Sequence, residues 1–191
     1  MSSLLTSNTF NQIALIHKKM LSNSDFLSEC NVNFLAYFYN TIAESDSTIL
    51  ITEDDGKKVK GFLFFTTDRE NYMRNFLTKN FPSILKFPYI YIPLIRAIIR
   101  KVKSEHVPSY QNELVHIAVD SKFQGQGIGR KLLVELESIL KVRNINEYYL
   151  QVFGDNLVAV SLYKKMGFET VKLFEKGHQI KYLMKKNIRF L

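Results

Sequence analysis

The chain has 191 residues, 46% hydrophobic and 23% charged, with a formal net charge of +8. That length and balance fit one folded domain with its own core and exclude a low-complexity or disordered chain. The single cysteine, Cys30, excludes a disulfide within the chain, and no run approaches the roughly 18 apolar residues of a membrane span.

The N-terminus has no basic segment followed by an apolar run, so the expected compartment is the cytoplasm. Cys30 sits among apolar residues and reads as a small core side chain. The positive charge would suit nucleic acid, an anionic membrane, acidic substrates or a phosphorylated ligand. No base-reading motif and no basic–aromatic alternation is present, so nucleic acid is not expected. Four histidines and one cysteine show no metal-ligand spacing, and no metal is expected.

In chain order, Phe10, Ile13, Ala14, Ile16 and His17 mark a short helix. A second helix, capped by Ser24 or Asp25, carries the stripe Phe34, Leu35, Phe38, Tyr39 and Ile42. Two β-rich runs, 47–52 and 59–67, flank Asp55-Gly56 and predict a hairpin. Residues 68–108 are rich in aromatics and broken by Pro82, Pro88 and Pro93, and predict helices at 69–79 and 93–103. Phe81, Phe87, Tyr89 and Tyr91 are too many aromatics to leave in water, so this segment should pack on an apolar surface.

The residues from 113 to 129 read ELVHIAVDSKFQGQGIG. Leu114, Val115, Ile117, Ala118 and Val119 form a short strand, and Gly125, Gly127 and Gly129 lead into a helix. That helix buries Ile128, Leu132, Leu133, Leu136, Ile139 and Leu140 along one face. Glycines before a helix N-terminus let backbone N–H groups approach a phosphate, which the helix dipole favours. A nucleotide P-loop would end in Gly-Lys-Ser or Gly-Lys-Thr, but Ile128-Gly129-Arg130 stands here, and the dinucleotide pattern GxGxxG is absent too. Downstream come the strand Tyr148–Phe153, then Asn156, Ala159, Tyr163 and Gly167-Phe168. The helix there should bury Ala159, Leu162, Tyr163 and Met166, followed by a closing strand pair across Lys176-Gly177 and a loose basic tail over 185–191.

Gln124 to Gly129 resembles the Q/R-x-x-G-x-G/A signature of the GNAT family, the acetyl-CoA-dependent N-acetyltransferases. The spacing N-x-x-A-x-x-x-Y-x-x-x-G-F from Asn156 to Phe168 resembles the second half of that family's cofactor site. The resemblance covers roughly 113–184, is looser over 48–66 and is absent from 68–108. It implies a single α/β (α+β) GNAT-like domain, with a mixed, mostly antiparallel sheet flanked by helices. The cofactor would be wedged where two neighbouring strands splay apart, after a helical insertion at 68–108. It implies acetyl-CoA, with coenzyme A as its product, and a small-molecule or protein amine as acceptor.

By that resemblance, backbone groups of Gln124, Gly125, Gln126, Gly127, Ile128, Gly129 and Arg130 would meet the pyrophosphate. The strand Ile117, Ala118 and Val119 would carry the pantetheine, its amides pairing with Ile117 and Val119, and Asn156 would bond the same arm. Tyr163 would protonate the leaving thiolate; its other reading is a core aromatic. Asn156 could equally be a helix cap. Some relatives carry a glutamate twelve residues before the tyrosine, where this chain has Gln151. Glu113 and His116 then remain as candidate bases, on opposite strand faces by alternation, alongside a water chain. A non-catalytic acyl-CoA-binding module stands as the alternative. The insertion is open between a lid over the acceptor, a homodimer contact, a packed helix and a surface for anionic partners.

Overall fold

The computed structural model describes residues 5–21, 26–102, 109–176 and 179–188. Two helices come first, α1 (Ser7–Met20) and α2 (Val32–Ala43). They bury the ten positions expected of them: Phe10, Ile13, Ala14, Ile16 and His17 on α1, and Phe34, Leu35, Phe38, Tyr39 and Ile42 on α2. The cap of α2 is Asn31, whose side chain accepts from Phe34 N at 2.9 Å; the expected caps Ser24 and Asp25 lie outside the described residues.

The hairpin forms as expected, from β1 (Thr48–Asp54) and β2 (Val59–Thr66). Every residue of β2 but Lys60 is buried, because helices cover both faces of the sheet here. Phe62 and Phe64 face α1 and α2, while Leu63 and Phe65 face the opposite layer. That two-sided cover is why the strand reads as a continuous apolar run and not as an alternation.

The remaining elements are α3 (Tyr72–Lys79), α4 (Phe81–Ile84), α5 (Tyr91–Val102), β3 (Glu113–Val119), α6 (Ile128–Val142), β4 (Glu147–Phe153), α7 (Leu157–Lys165), β5 (Glu169–Lys176) and β6 (Gln179–Asn187). The six strands run in the order β1-β2-β3-β4-β6-β5, all antiparallel except β3 with β4. One cluster unites α1, α2 and the insertion on one face; another unites α6 and α7 on the other.

Three expectations need correction. The first insertion helix starts at Tyr72 instead of 69, since residues 68–71 form a turn in which Tyr72 N donates to Asp68 O at 2.9 Å. The second starts at Tyr91, with Pro93 tolerated in its first turn, and the short helix α4 lies between them. The supposed basic tail is ordered at least to Asn187: Lys185 pairs with Glu147 at 2.6 Å and Lys186 with Glu137 at 2.5 Å, which stitches β6 to β4 and α6. The turn at Gly177 lies outside the described residues.

Among its described residues the insertion is anchored by its inner side. Phe76, Ile84 and Ile90 are buried, and Phe87 packs edge-on to Phe34 at 5.5 Å between ring centres. Phe81, Tyr89 and Tyr91 remain exposed, against the expectation that all four aromatics would be covered. Its start meets the residues that follow it: Arg69 N donates to Gln111 O at 3.1 Å and Ser109 Oγ to Glu70 at 2.7 Å.

Candidate active site

Between β3 and β4 the parallel ladder holds two residue pairs, Glu113 with Tyr149 and Leu114 with Leu150. Beyond them the strands part, although β3 stays paired with β2 and β4 with β6 along their outer edges. Asp120 N bonds Lys60 O at 2.9 Å toward β2. Strand alternation therefore turns the backbone groups of Ile117 and Val119 away from β2 and into the gap, while those of Ala118 face β2. The result is a V-shaped cleft, open at Val119 and closed at Leu114.

The mouth of that cleft holds the start of α6. Gly127, at φ 75°, occupies a left-handed conformation that other residues adopt at a cost. The first helical hydrogen bond belongs to Lys131 N, which donates to Gly127 O at 3.0 Å. The N–H groups of Ile128, Gly129 and Arg130 thus precede the helical ladder and point out of its end. A Cβ on Gly125 or Gly127 would meet no atom within 4 Å, so both border open space. Gly129 differs: a Cβ there would lie 3.2 Å from Leu162 Cδ2, so it serves the packing of α6 on α7. Gln124 is exposed, and its Nε2 donates to Val119 O at 3.4 Å. Gly61 was not singled out from the sequence; a Cβ there would come within 2.9 Å of Ala118 O and 3.1 Å of Ile128. The absence of a side chain lets α6 settle on the sheet beside the cleft, and a glycine inside an apolar strand is the signal for it.

Tyr163 on α7 is buried in the α6–α7 cluster, its ring 5.5 Å from that of Phe168. Burial holds its phenol well above the ordinary tyrosine range, so the hydroxyl stays protonated near neutral pH. Asn156 does cap α7: its Oδ1 accepts from Ala159 N at 3.2 Å, which commits the oxygen and leaves the amide N–H groups for other partners.

The two candidate bases sit on one face, not on opposite faces. A register shift opposite Phe64 and Phe65 inserts Val115 as an extra residue in β3. Leu114 packs with the α6–α7 cluster, while Val115 packs with the α1–α2 cluster, the side that His116 also faces. The bulge re-aims Glu113 to that same side.

Glu113 is buried and densely bonded. Tyr110 Oη donates to its Oε1 at 2.9 Å, Gln151 Nε2 lies 3.3 Å from the same oxygen, and Arg69 Nε is 3.2 Å from Oε2. Gln151 Nε2 also donates to Tyr110 Oη at 2.9 Å, and the Arg69 guanidinium stacks 4.4 Å above the Tyr110 ring. Burial raises the Glu113 carboxyl above the ordinary range, against the opposing pull of Arg69 and the Tyr110 hydrogen bond. Arg69 at the start of the insertion and Tyr110 just after it were not expected from sequence; only folding brings them onto one carboxylate.

His116 joins a buried chain of three. Its Nδ1 lies 3.0 Å from Tyr39 Oη, which lies 2.7 Å from His17 Nδ1. One hydroxyl proton serves two ring nitrogens, so the hydroxyl donates to one imidazole and accepts from the other.

Comparison with known proteins matches residues 19–168 to the acetyltransferase (GNAT) family. The N-alpha-acetyltransferase RimI of Mycobacterium tuberculosis is 38% identical over 73 residues, which cover 38% of this chain and 44% of that protein. The matched stretch is thus less than half of that relative. The ribosomal-protein-S18-alanine N-acetyltransferase of Escherichia coli superposes with a TM-score of 0.62 at 16% identity, covering 99% of this chain and 94% of the other. A PaiA N-acetyltransferase from Thermoplasma acidophilum, solved in complex with coenzyme A, superposes at 0.57 with 15% identity, over 96% and 95% of the two chains. At these identities the superpositions speak for the fold.

Proposed function

Because the chain belongs to the GNAT acetyltransferase family, we propose that it transfers an acetyl group from acetyl-CoA to an amine by direct attack. The observation that carries this reading is the cleft itself: two strands that part after two pairs, with an uncapped helix start at the mouth. Acetyl-CoA supplies the thioester carbonyl that the amine attacks.

In this reading the N–H groups from Gln124 to Arg130 hold the pyrophosphate, and Ile117 and Val119 pair with the pantetheine amides as an added strand would. Asn156 donates to the same arm. Tyr163 gives its proton to the sulfur as the C–S bond breaks. Glu113 takes the proton that the amine sheds as it adds to the carbonyl. Among the candidate bases Glu113 is favoured over His116, since its carboxylate touches Gln151, the position where some relatives carry a glutamate. A base is needed, because an alkylamine of pKa about 10.4 is less than roughly one part in a thousand neutral at pH 7. The insertion borders the acceptor side: it packs on α2, and Arg69 at its start and Tyr110 just after it reach Glu113.

The test is acetyl-CoA turnover, read as free thiol, against polyamines, aminoglycosides, amino acids and peptides with a free N-terminus. Thiol release that requires one of these amines is expected, together with a rise in melting temperature on adding coenzyme A. No thermal shift at millimolar coenzyme A would remove the cofactor reading. A shift without turnover on any amine would leave a binding module in place of an enzyme.

A further inference from the structure

The insertion is apolar on the side that faces water as well as on the side that faces α2. Relative exposure is 58% at Phe81, 54% at Leu85, 76% at Tyr89, 61% at Ile92 and 57% at Ile95. These are anchored positions, not a loose segment, because Ile84 and Ile90 between them are buried. Within α5, Pro93 is buried and Leu94 packs inward, while Ile92 and Ile95 point out. A helix apolar on both sides is normally covered on both. Here the outer cover has yet to be supplied, and single exposed residues on an ordinary surface do not cluster in this way.

Charge identifies what supplies it. Residues 71–104 contain Arg74, Lys79, Lys86, Arg96, Arg100, Lys101 and Lys103 and no acidic residue. Of the chain's 26 basic and 18 acidic residues, 19 and 18 lie elsewhere, so almost the whole net charge of +8 belongs to this one segment. Arg74, Lys79, Lys86 and Arg96 are exposed, and Arg96 reaches Glu29 at 3.2 Å. A second copy would oppose like charge to like. A nucleic acid would meet the basic side chains but offers nothing to exposed isoleucine and leucine.

We propose that the outer side of the insertion, from Lys79 to Arg96, docks on an anionic lipid membrane. Aliphatic side chains enter the headgroup boundary, tyrosines sit at its level, and the lysines and arginines meet lipid phosphates. Among the described residues no helix is long and apolar enough to cross a membrane, so the contact is peripheral. This inference stands independently of the acetyl-transfer reading.

The experiment is co-sedimentation of the full chain with vesicles of phosphatidylcholine alone, or with about one-third phosphatidylglycerol. Binding to the anionic vesicles only is expected, weakening as salt is raised toward about 0.5 M. The double variants Ile92→Glu/Ile95→Glu and Lys79→Glu/Lys86→Glu alter exposed positions, so both should fold, as circular dichroism and melting temperature will verify. Each should bind anionic vesicles at least roughly tenfold more weakly than the parent. The proposal is overturned if anionic vesicles leave the protein in solution, if neutral vesicles bind it equally, or if both variants bind as the parent does. It is equally overturned if the parent is a dimer that Ile92→Glu/Ile95→Glu dissociates, since a second copy then covers the patch.

Discussion

On the α6–α7 face the candidate site is made of backbone: the strand edge at Ile117 and Val119, the left-handed Gly127 and the first N–H groups of α6. On the α1–α2 face it is made of side chains: Glu113 held by Arg69, Tyr110 and Gln151, and His116 held by Tyr39. Backbone features demand particular residues at fixed local spacing, above all glycine. Side-chain networks are assembled from distant parts of the chain and leave no local pattern. One face can therefore bind a constant ligand by a recurring motif, while the other is free to be remade around a different acceptor.

In the proposed reaction Tyr163 is the one side chain of the α6–α7 face that takes part in proton transfer, so removing its hydroxyl should have the largest effect. Tyr163→Phe keeps the ring against Phe168 and the surrounding cluster. Turnover should fall roughly 10²- to 10⁴-fold, the scale of general-acid help, with coenzyme A affinity nearly unchanged. An unaltered kcat would return Tyr163 to a packing role.

Glu113 tests the other face through pH. Burial raises its carboxyl above the ordinary range, so its folded form favours the proton. The sign follows: the stability it contributes is present at low pH and lost as pH rises through the raised value, whereas the base role proposed for it would begin only there. The profile of kcat/KM should therefore climb with pH through a value above the ordinary carboxylate figure of about 4.3. Glu113→Gln should abolish that limb and lower the plateau by about 10²-fold. Arg69, Tyr110, Lys181 and His116 act on the same carboxyl, so the limb belongs to Glu113 only if it vanishes in this variant. A limb that persists there belongs to another group.

These two faces also differ in how much of them could be read beforehand. Helices α1 and α2 were legible because apolar residues recur at helical spacing, and all ten expected positions, His17 among them, are buried. The turn before α6 was legible because only glycine takes the backbone of Gly127 readily. The shared face of Glu113 and His116 was not, since a bulge is an exception to alternation and depends on how β2 pairs. Arg69 and Tyr110 lie 41 residues apart in sequence and meet only because the insertion returns to its starting point. The exposed aromatics of the insertion escaped for a related reason: composition says how much apolar surface a segment has, but not which side of it the rest of the chain covers.

Gly127 sharpens the contrast on the α6–α7 face at lower amplitude. Valine there is strained at φ 75° and sets its Cβ in the open space beside the helix start. Coenzyme A should bind at least about tenfold more weakly, seen as a smaller thermal shift on adding ligand. Gly129→Ala makes the opposite comparison, because its Cβ presses on Leu162 at 3.2 Å. That change should lower the melting temperature more than it lowers the ligand-induced shift. Equal losses of coenzyme A affinity in both would mean that the cradle and the α6–α7 packing are one feature.

The smallest effect is expected from Tyr39→Phe, deep on the side-chain face. Tyr39 is fully buried, and its hydroxyl lies between His17 and His116. Phenylalanine keeps the ring's contacts with Phe38, Phe62 and Phe64 and deletes one proton and one oxygen. Two imidazole nitrogens then lose a partner in the core, at a cost of about 1–3 kcal/mol. In a chain of this size each kcal/mol is worth roughly 2–4 °C of melting temperature, so a drop of several degrees should be seen. Coenzyme A affinity should not move, because nothing on the α6–α7 face has changed. If Glu113 is the base, kcat should change only a few-fold and the acidic limb of the pH profile should stay where it is. A hundredfold loss of kcat with the fold intact would instead make His116 the base, with Tyr39 as the group that sets its tautomer.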